Sequence, residues 1–413
     1  MEGKRFIHSL RLQNFLSYGN EEEEIELQPL NVLIGPNASG KSNLIEAIGI
    51  LKALPTDLVA PIRQGGGISD FLWKGGKDIP IAKIEAILDY REGLMPLRYQ
   101  ISFTISGQRL EVIKESISEY ISKKDRIDVI LNEDVGSQPI SKKYLTLYRR
   151  DQKGIVIIYV KDEKDIQKRR PRALRRQDIL PDQSILSQRK DPERYPEISY
   201  LGTNFSEISL YRNWQTGRDS VARKAQQTDL PEHPLLENGS NLGLVLNNLQ
   251  HQLGSRQIIE SLKKFYSAAE EISIKIYGGT VQIFIRETGL SQPIPATRLS
   301  DGTLRYLFLM ALLLDPTPPP VICIEEPEIG LHPDILPTIA EMLIEASQRT
   351  QLIITTHSDA LVSALMPESV LVCEQDERGS HLRRLDPEKL KKWLENYTLG
   401  DLWRMGEIGG NKW

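Results

Sequence analysis

The sequence predicts an α/β fold, and three stretches predict it. The first is "GPNASGKS" at 35–42, set between the apolar run "LNVLIG" and the helically spaced "SNLIEAIGILKAL". The second is "PPPVICIEEPEIGLHP", where four apolar residues, Val321 to Ile324, end in paired glutamates. In the third, "QLIITTHSDALVSAL", another apolar run ends at His357. Short apolar runs closed by turn residues read as buried strands, and the 3.6-residue spacing after Gly40 reads as a helix.

Composition sets the outer bounds. The chain has 413 residues, 40% hydrophobic and 26% charged, which suits one large or two ordinary domains. No apolar run approaches the roughly 20 residues needed to span a bilayer, and "MEGKRFIHSLRLQNF" has no apolar core of a signal peptide. A cytoplasmic protein with no membrane partner is expected. Cys323 and Cys373 lie in strand-like runs, so both are expected as buried thiols rather than disulfide or zinc ligands. A net charge of −4 argues against coating nucleic acid over the whole surface but leaves room for a local basic patch.

The first stretch carries a specific chemistry. Its glycines and lysine-serine pair have the G-x-x-x-x-G-K-[ST] spacing, which turns backbone N–H groups toward an anion at a helix N-terminus. Gly35, Pro36, Asn37, Ala38, Ser39, Gly40, Lys41, Ser42 and Asn43 are therefore the expected nucleotide-binding residues. Lys41 would reach the β- and γ-phosphates and Ser42 would ligate Mg²⁺, making ATP and Mg²⁺ the expected cofactors. The acidic strand supplies the complement. Glu325 would hold the metal, and Glu326 would orient or deprotonate an attacking water.

Loop, "LSDGT" at 299–303, acidic strand and His357, in that chain order, resemble the ABC-type ATPase head in the branch of SMC, RecF and OLD-like proteins. The stand-alone "AAA family ATPase" group is most similar, since its acidic strand also reads IEEPE…LHP. "IHSLRLQNFLSYGNEEEEIEL" further resembles the first strand pair of RecF-type heads. The resemblance covers residues 5–100 and 270–375. It implies a P-loop NTPase head with a mixed sheet, an antiparallel β subdomain and a helical lobe, interrupted by a mixed insertion. It also implies that Ser300 and Gly302 cap a helix through Leu314 whose N-terminus closes on the γ-phosphate of a second copy, so that ATP joins a homodimer. His357 would contact the γ-phosphate and steady the water. Read alone, Ser300 is a plain N-cap and His357 a satisfied core residue.

Three departures stand out. The metal position is Glu325 rather than Asp. Asp301 replaces the commoner Gly, an acid that would weaken binding of a γ-phosphate unless Arg305, four residues on along the same helical face, offsets it. The Mg²⁺-sensing glutamine is assigned to Gln64 in "PIRQGGGISDF", where a Gly-rich loop with an incidental Gln reads equally well.

The expected organisation is residues 1–158 as the first part of the head with its antiparallel sheet, 159–260 as a basic, polar and helical insertion, and 261–413 as the second part. Sustained heptads are absent, which excludes a long coiled-coil arm. Lys168, Arg169, Arg170, Arg172, Arg175 and Arg176 form either a DNA-phosphate stripe, a solvated loop or a docking surface for an acidic partner. The tail with Trp403 and Trp413 either docks a separate nuclease or effector subunit or packs on its own core. Two functions follow: an ATPase acting in DNA repair or anti-phage defence, or a slow ATP-gated scaffold that controls such a subunit.

Overall fold

The computed structural model describes residues 3–93, 95–120, 144–161, 169–175, 178–212 and 217–410. Strand Leu30–Ile34, buried at every position, lies inside a six-stranded sheet. The order is Ser209–Tyr211, Val321–Glu325, Gln351–Thr355, Leu30–Ile34, Val370–Asp376, Gly379–Arg384. The first five run parallel and the last is antiparallel. Parallel strands bring the ends at Ile34, Glu325 and Thr355 to one edge, which is where a ligand crevice forms in such sheets.

Alternation along these strands divides two cores. Leu33, Val321, Cys323 and Ile353 face a core shared with helix Lys41–Ala53 and the antiparallel sheet. Val32, Ile34, Ile322, Ile324 and Ile354 face a second core, filled by helices Leu242–Leu253, Ser255–Lys263, Asp301–Leu313 and Leu336–Ala346. Both cysteines are buried free thiols, as their strand-like runs implied.

The antiparallel sheet has eight strands, Glu23–Glu26, Ile7–Gln13, Ala82–Leu88, Leu97–Ser106, Arg109–Tyr120, Tyr144–Arg150, Val156–Lys161 and Arg169–Leu174. Gln351 docks it on the parallel sheet: its buried amide accepts from Ile7 N at 2.8 Å and donates to Ile7 O at 2.8 Å. Both polar groups of one side chain are thereby satisfied in the core.

The middle of the chain departs from the expected organisation. The boundary at 158/159 falls inside strand Val156–Lys161, which pairs with Arg169–Leu174. Part of the basic stretch is thus the edge strand of the antiparallel sheet. Arg169 is committed there, reaching Glu197 at 2.6 Å and Glu119 at 3.7 Å, which removes it from a phosphate stripe. Arg170, Arg172 and Arg175 are exposed, while Lys168 and Arg176 lie outside the described residues. The segment also gives strand Ser209–Tyr211 to the parallel sheet, beside the acidic strand. Among the described residues no helix is long and apolar enough to cross a membrane.

The tail packs inward. Helix Leu399–Met405 opens with a Thr398–Asp401 capping box and lies against helix Asp359–Ser363, with Arg404 3.1 Å from Asp359. Trp403 is buried, so of the two readings of the tail this residue takes the core one; Trp413 lies outside the described residues.

Candidate functional site

The loop after Ile34 is held in a left-handed path, with φ +148° at Gly35, +63° at Ala38 and +103° at Gly40. The fold itself requires both glycines. A Cβ at Gly35 would stand 2.2 Å from Cys373 O, and one at Gly40 would stand 2.3 Å from Ser380 Oγ. Ala38 accepts a conformation that costs an ordinary L-residue about 1–2 kcal/mol.

Inside this path Lys41 is buried and donates to Gly35 O at 2.8 Å and Pro36 O at 2.9 Å. Burial lowers its pKa, against the opposing charges of Cys373 and Glu326. Ser39 Oγ is buried with no hydrogen-bond partner among the described residues. An unspent hydroxyl beside a folded-back lysine fits a site that takes an anion. Ser42 is exposed at the first turn of the helix, as are Asn37 and Ala38 in the loop. Asn43 turns away, donating to Ser17 Oγ at 2.7 Å.

On the acidic strand Glu325 is half-buried, and burial raises its pKa against the nearby Arg212 guanidinium. Ser42 and Glu325 are hard oxygen donors of the kind Mg²⁺ takes with phosphate oxygens. Gln64 ends helix Val59–Gln64 and lines a cavity of about 640 Å³ with Glu46 and Arg212. Arg212, on the same cavity, is the residue that reaches Glu325, at 3.7 Å.

Glu326 occupies a strained position, with φ +48°. Its N–H donates to Thr355 O at 2.9 Å, and its carbonyl accepts from Arg305 Nη2 at 2.5 Å. Arg305 also donates to Pro327 O at 3.4 Å; burial pushes its pKa down to about 10. A non-glycine residue stays left-handed only where its surroundings over-determine it, and such residues cluster at functional sites. The Glu326 carboxylate lies 3.8 Å from His357 Nε2. Burial, with the Lys41 charge, lowers the pKa of His357 and favours neutral imidazole.

Arg305 therefore does not offset Asp301. Asp301 is paired by Arg223, whose guanidinium also donates to Leu299 O at 2.6 Å, while Arg305 points into the core toward the Glu326 turn. The four-residue spacing placed Arg305 near Asp301 on an isolated helix; tertiary packing assigned it elsewhere. Ser300 caps helix Asp301–Leu313, its Oγ accepting from Thr303 N at 3.0 Å. Gly302 passes close to Gly330, whose carbonyl would be 2.9 Å from a Cβ. No hydrogen bond joins Ser300 or Gly302 to residues 35–43 among the described residues.

Glu328 lay outside the expected site residues. Glu328 accepts from His357 N at 2.7 Å and Thr356 Oγ1 at 2.8 Å, while its Oε2 is buried without a hydrogen-bond partner. It fixes the start of the His357 segment. Its only sequence signal was being the third acid of "EEPE".

Phosphate loop, acidic strand and histidine meeting at one edge of a parallel sheet, with the capped helix behind them, define an ABC-type ATPase head. The chain matches, over residues 30–363, the family described as "AAA domain, putative AbiEii toxin, Type IV TA system", and it belongs to that family. Among curated proteins it is similar to the DNA replication and repair protein RecF of Staphylococcus haemolyticus, 26% identical over 239 residues, 56% of this chain and 58% of the relative. The RecF of Oceanobacillus iheyensis is also 26% identical, over 56% of this chain and 62% of the relative. The chain thus spans less than two thirds of these relatives' own length. Among solved structures, the Smc head bound to the C-winged helix domain of ScpA superposes with a TM-score of 0.53 at 16% identity, covering 94% of this chain and 100% of that one. A Pyrococcus furiosus Smc head gives 0.52 at 15% identity, covering 94% and 98%. These likenesses show the fold and place the head in the RecF/SMC branch.

Proposed function

We propose that the chain hydrolyses ATP at a composite site completed by a second copy. Lys41 and the N–H groups of residues 35–42 bind the phosphates, and Ser42 with Glu325 holds Mg²⁺, which neutralises charge developing on them. Glu326 accepts a proton from the attacking water, and neutral His357 steadies that water and the γ-phosphate. Ser300 and Gly302 of the second copy close the site with a helix N-terminus. The observation that carries this reading is the left-handed Glu326 turn, held by Arg305 and Thr355 beside His357.

The biological setting we propose is cytoplasmic and directed at DNA, in repair or in defence against foreign genomes. The RecF relatives and the exposed Arg170, Arg172 and Arg175 support it. The test is ATP turnover with and without duplex DNA at two salt concentrations. Stimulation that fades as salt rises is the expected result, because neutralised phosphates release counterions. Slow turnover unmoved by DNA would instead support the second reading, an ATP-gated scaffold controlling a separate nuclease or effector. The commitment of Arg169 to Glu197 favours that reading.

A further inference from the structure

Arg212 follows strand Ser209–Tyr211, whose Tyr211 is in register with Ile324, so Arg212 is set alongside Glu325. Its Nη1 donates to Glu46 on the phosphate-loop helix, while its Nε lies 3.7 Å from Glu325 Oε1. That second separation is an ion pair, too long for a hydrogen bond. Nε and Nη2 are buried yet have no hydrogen-bond partner among the described residues. A guanidinium normally spends its five donors. This one is suspended between two carboxylates with two N–H sites unspent.

Beside it opens the cavity of about 640 Å³, lined by Glu46, Gln64, Glu237 and Lys52. The guanidinium has room to move there, with Glu46 already holding its Nη1. We propose that Arg212 is a placeholder for the metal: it neutralises Glu325 before Mg²⁺ arrives and must yield that carboxylate when Mg²⁺ binds. The inference rests on Glu325 being the metal carboxylate. A dication and a guanidinium on one carboxylate repel, so arrival of the metal drives Arg212 toward Glu46 and the cavity. Arg212 is a positioning residue at the end of an edge strand supplied by the middle segment. Metal loading is thereby transmitted to residues that lie between the two parts of the head in sequence.

The test uses the full chain and a fluorescent methylanthraniloyl ATP, titrated with Mg²⁺. The readouts are the Mg²⁺ concentration that half-tightens nucleotide binding and the metal-free nucleotide affinity. For Arg212→Ala the half-saturating Mg²⁺ should fall about tenfold, with metal-free affinity kept within about twofold. Arg212→Lys, which keeps the charge, should stay near wild type. Arg212→Met, which keeps the stem, replaces the alanine variant if that one melts early. An unchanged or raised Mg²⁺ requirement in a natively melting Arg212→Ala or Arg212→Met overturns the inference. Glu325→Gln separates the two levels. If it raises the Mg²⁺ requirement while the Arg212 variants do nothing, only the placeholder fails; if it too leaves the requirement unchanged, the metal assignment fails and the placeholder with it.

Discussion

Lys41→Ala is expected to lower ATP affinity at least about 100-fold and to bring hydrolysis to background, since each hydrogen bond from a charged donor contributes about 1.5–3 kcal/mol. Lys41 Nζ has two carbonyl acceptors on the loop, Gly35 and Pro36, both within 2.9 Å. In the proposed bound state phosphate oxygens, which carry full charge, would replace these acceptors, so the cost should fall on binding more than on folding. The loop also packs closely on Cys373, Ser380 and Ser17 around Gly35 and Gly40, contacts that remain when the two lysine bonds are lost. The variant should therefore melt near the wild-type temperature. Titration with a fluorescent ATP checks both parts, and undiminished affinity would remove the phosphate-loop assignment.

Glu326→Gln should behave in the opposite way, binding ATP normally while turnover falls by about 10²–10³-fold. The amide keeps the length of the side chain and the left-handed backbone at φ +48°, with the Thr355 and Arg305 hydrogen bonds to the main chain intact. What it loses is a carboxylate that can take a proton from water, 3.8 Å from His357. Chemistry then stops after closure. Static light scattering should show a doubled mass with ATP and a single mass without it. Wild-type turnover in this variant would move the catalytic base to another group, for which Glu328 is the nearest acid on His357 N.

The parts legible in the sequence were those where local pattern and tertiary structure agree. "LNVLIG" and "VICIEE" are apolar at nearly every buried position, Asn31 with its amide bonded to Leu352 O being the exception, because both faces of the parallel sheet are covered, and they became its interior strands. The phosphate loop was legible because its glycines answer to backbone geometry, as the close approaches of Cys373 O and Ser380 Oγ show. The partners of charged side chains were not legible. Arg305 and Asp301 lie four apart, yet each is paired with a residue distant in the chain, Arg305 with the Glu326 turn and Asp301 with Arg223. Arg169 looked like one more cation in a basic run until the strand around it placed Glu197 and Glu119 within reach. Arg212 carried no signal and Glu328 only its place in "EEPE", since their roles arise from strands that are adjacent in space but more than a hundred residues apart, or from a turn whose shape no spacing encodes.

In the proposed composite site, one copy supplies the loop and another supplies Ser300 and Gly302. It is tested most directly by mixing two inactive variants, Lys41→Ala and Ser300→Arg, and measuring ATP turnover. Ser300 is exposed at its helix cap, so arginine there should spare folding and nucleotide binding while disabling only the site that this cap completes. A mixed dimer pairs the intact loop of one variant with the intact cap of the other. With random pairing, roughly a quarter of wild-type turnover should return on mixing, one restored site in half of the dimers. No recovery, with each variant shown to be folded, would contradict it and place the whole site within a single chain.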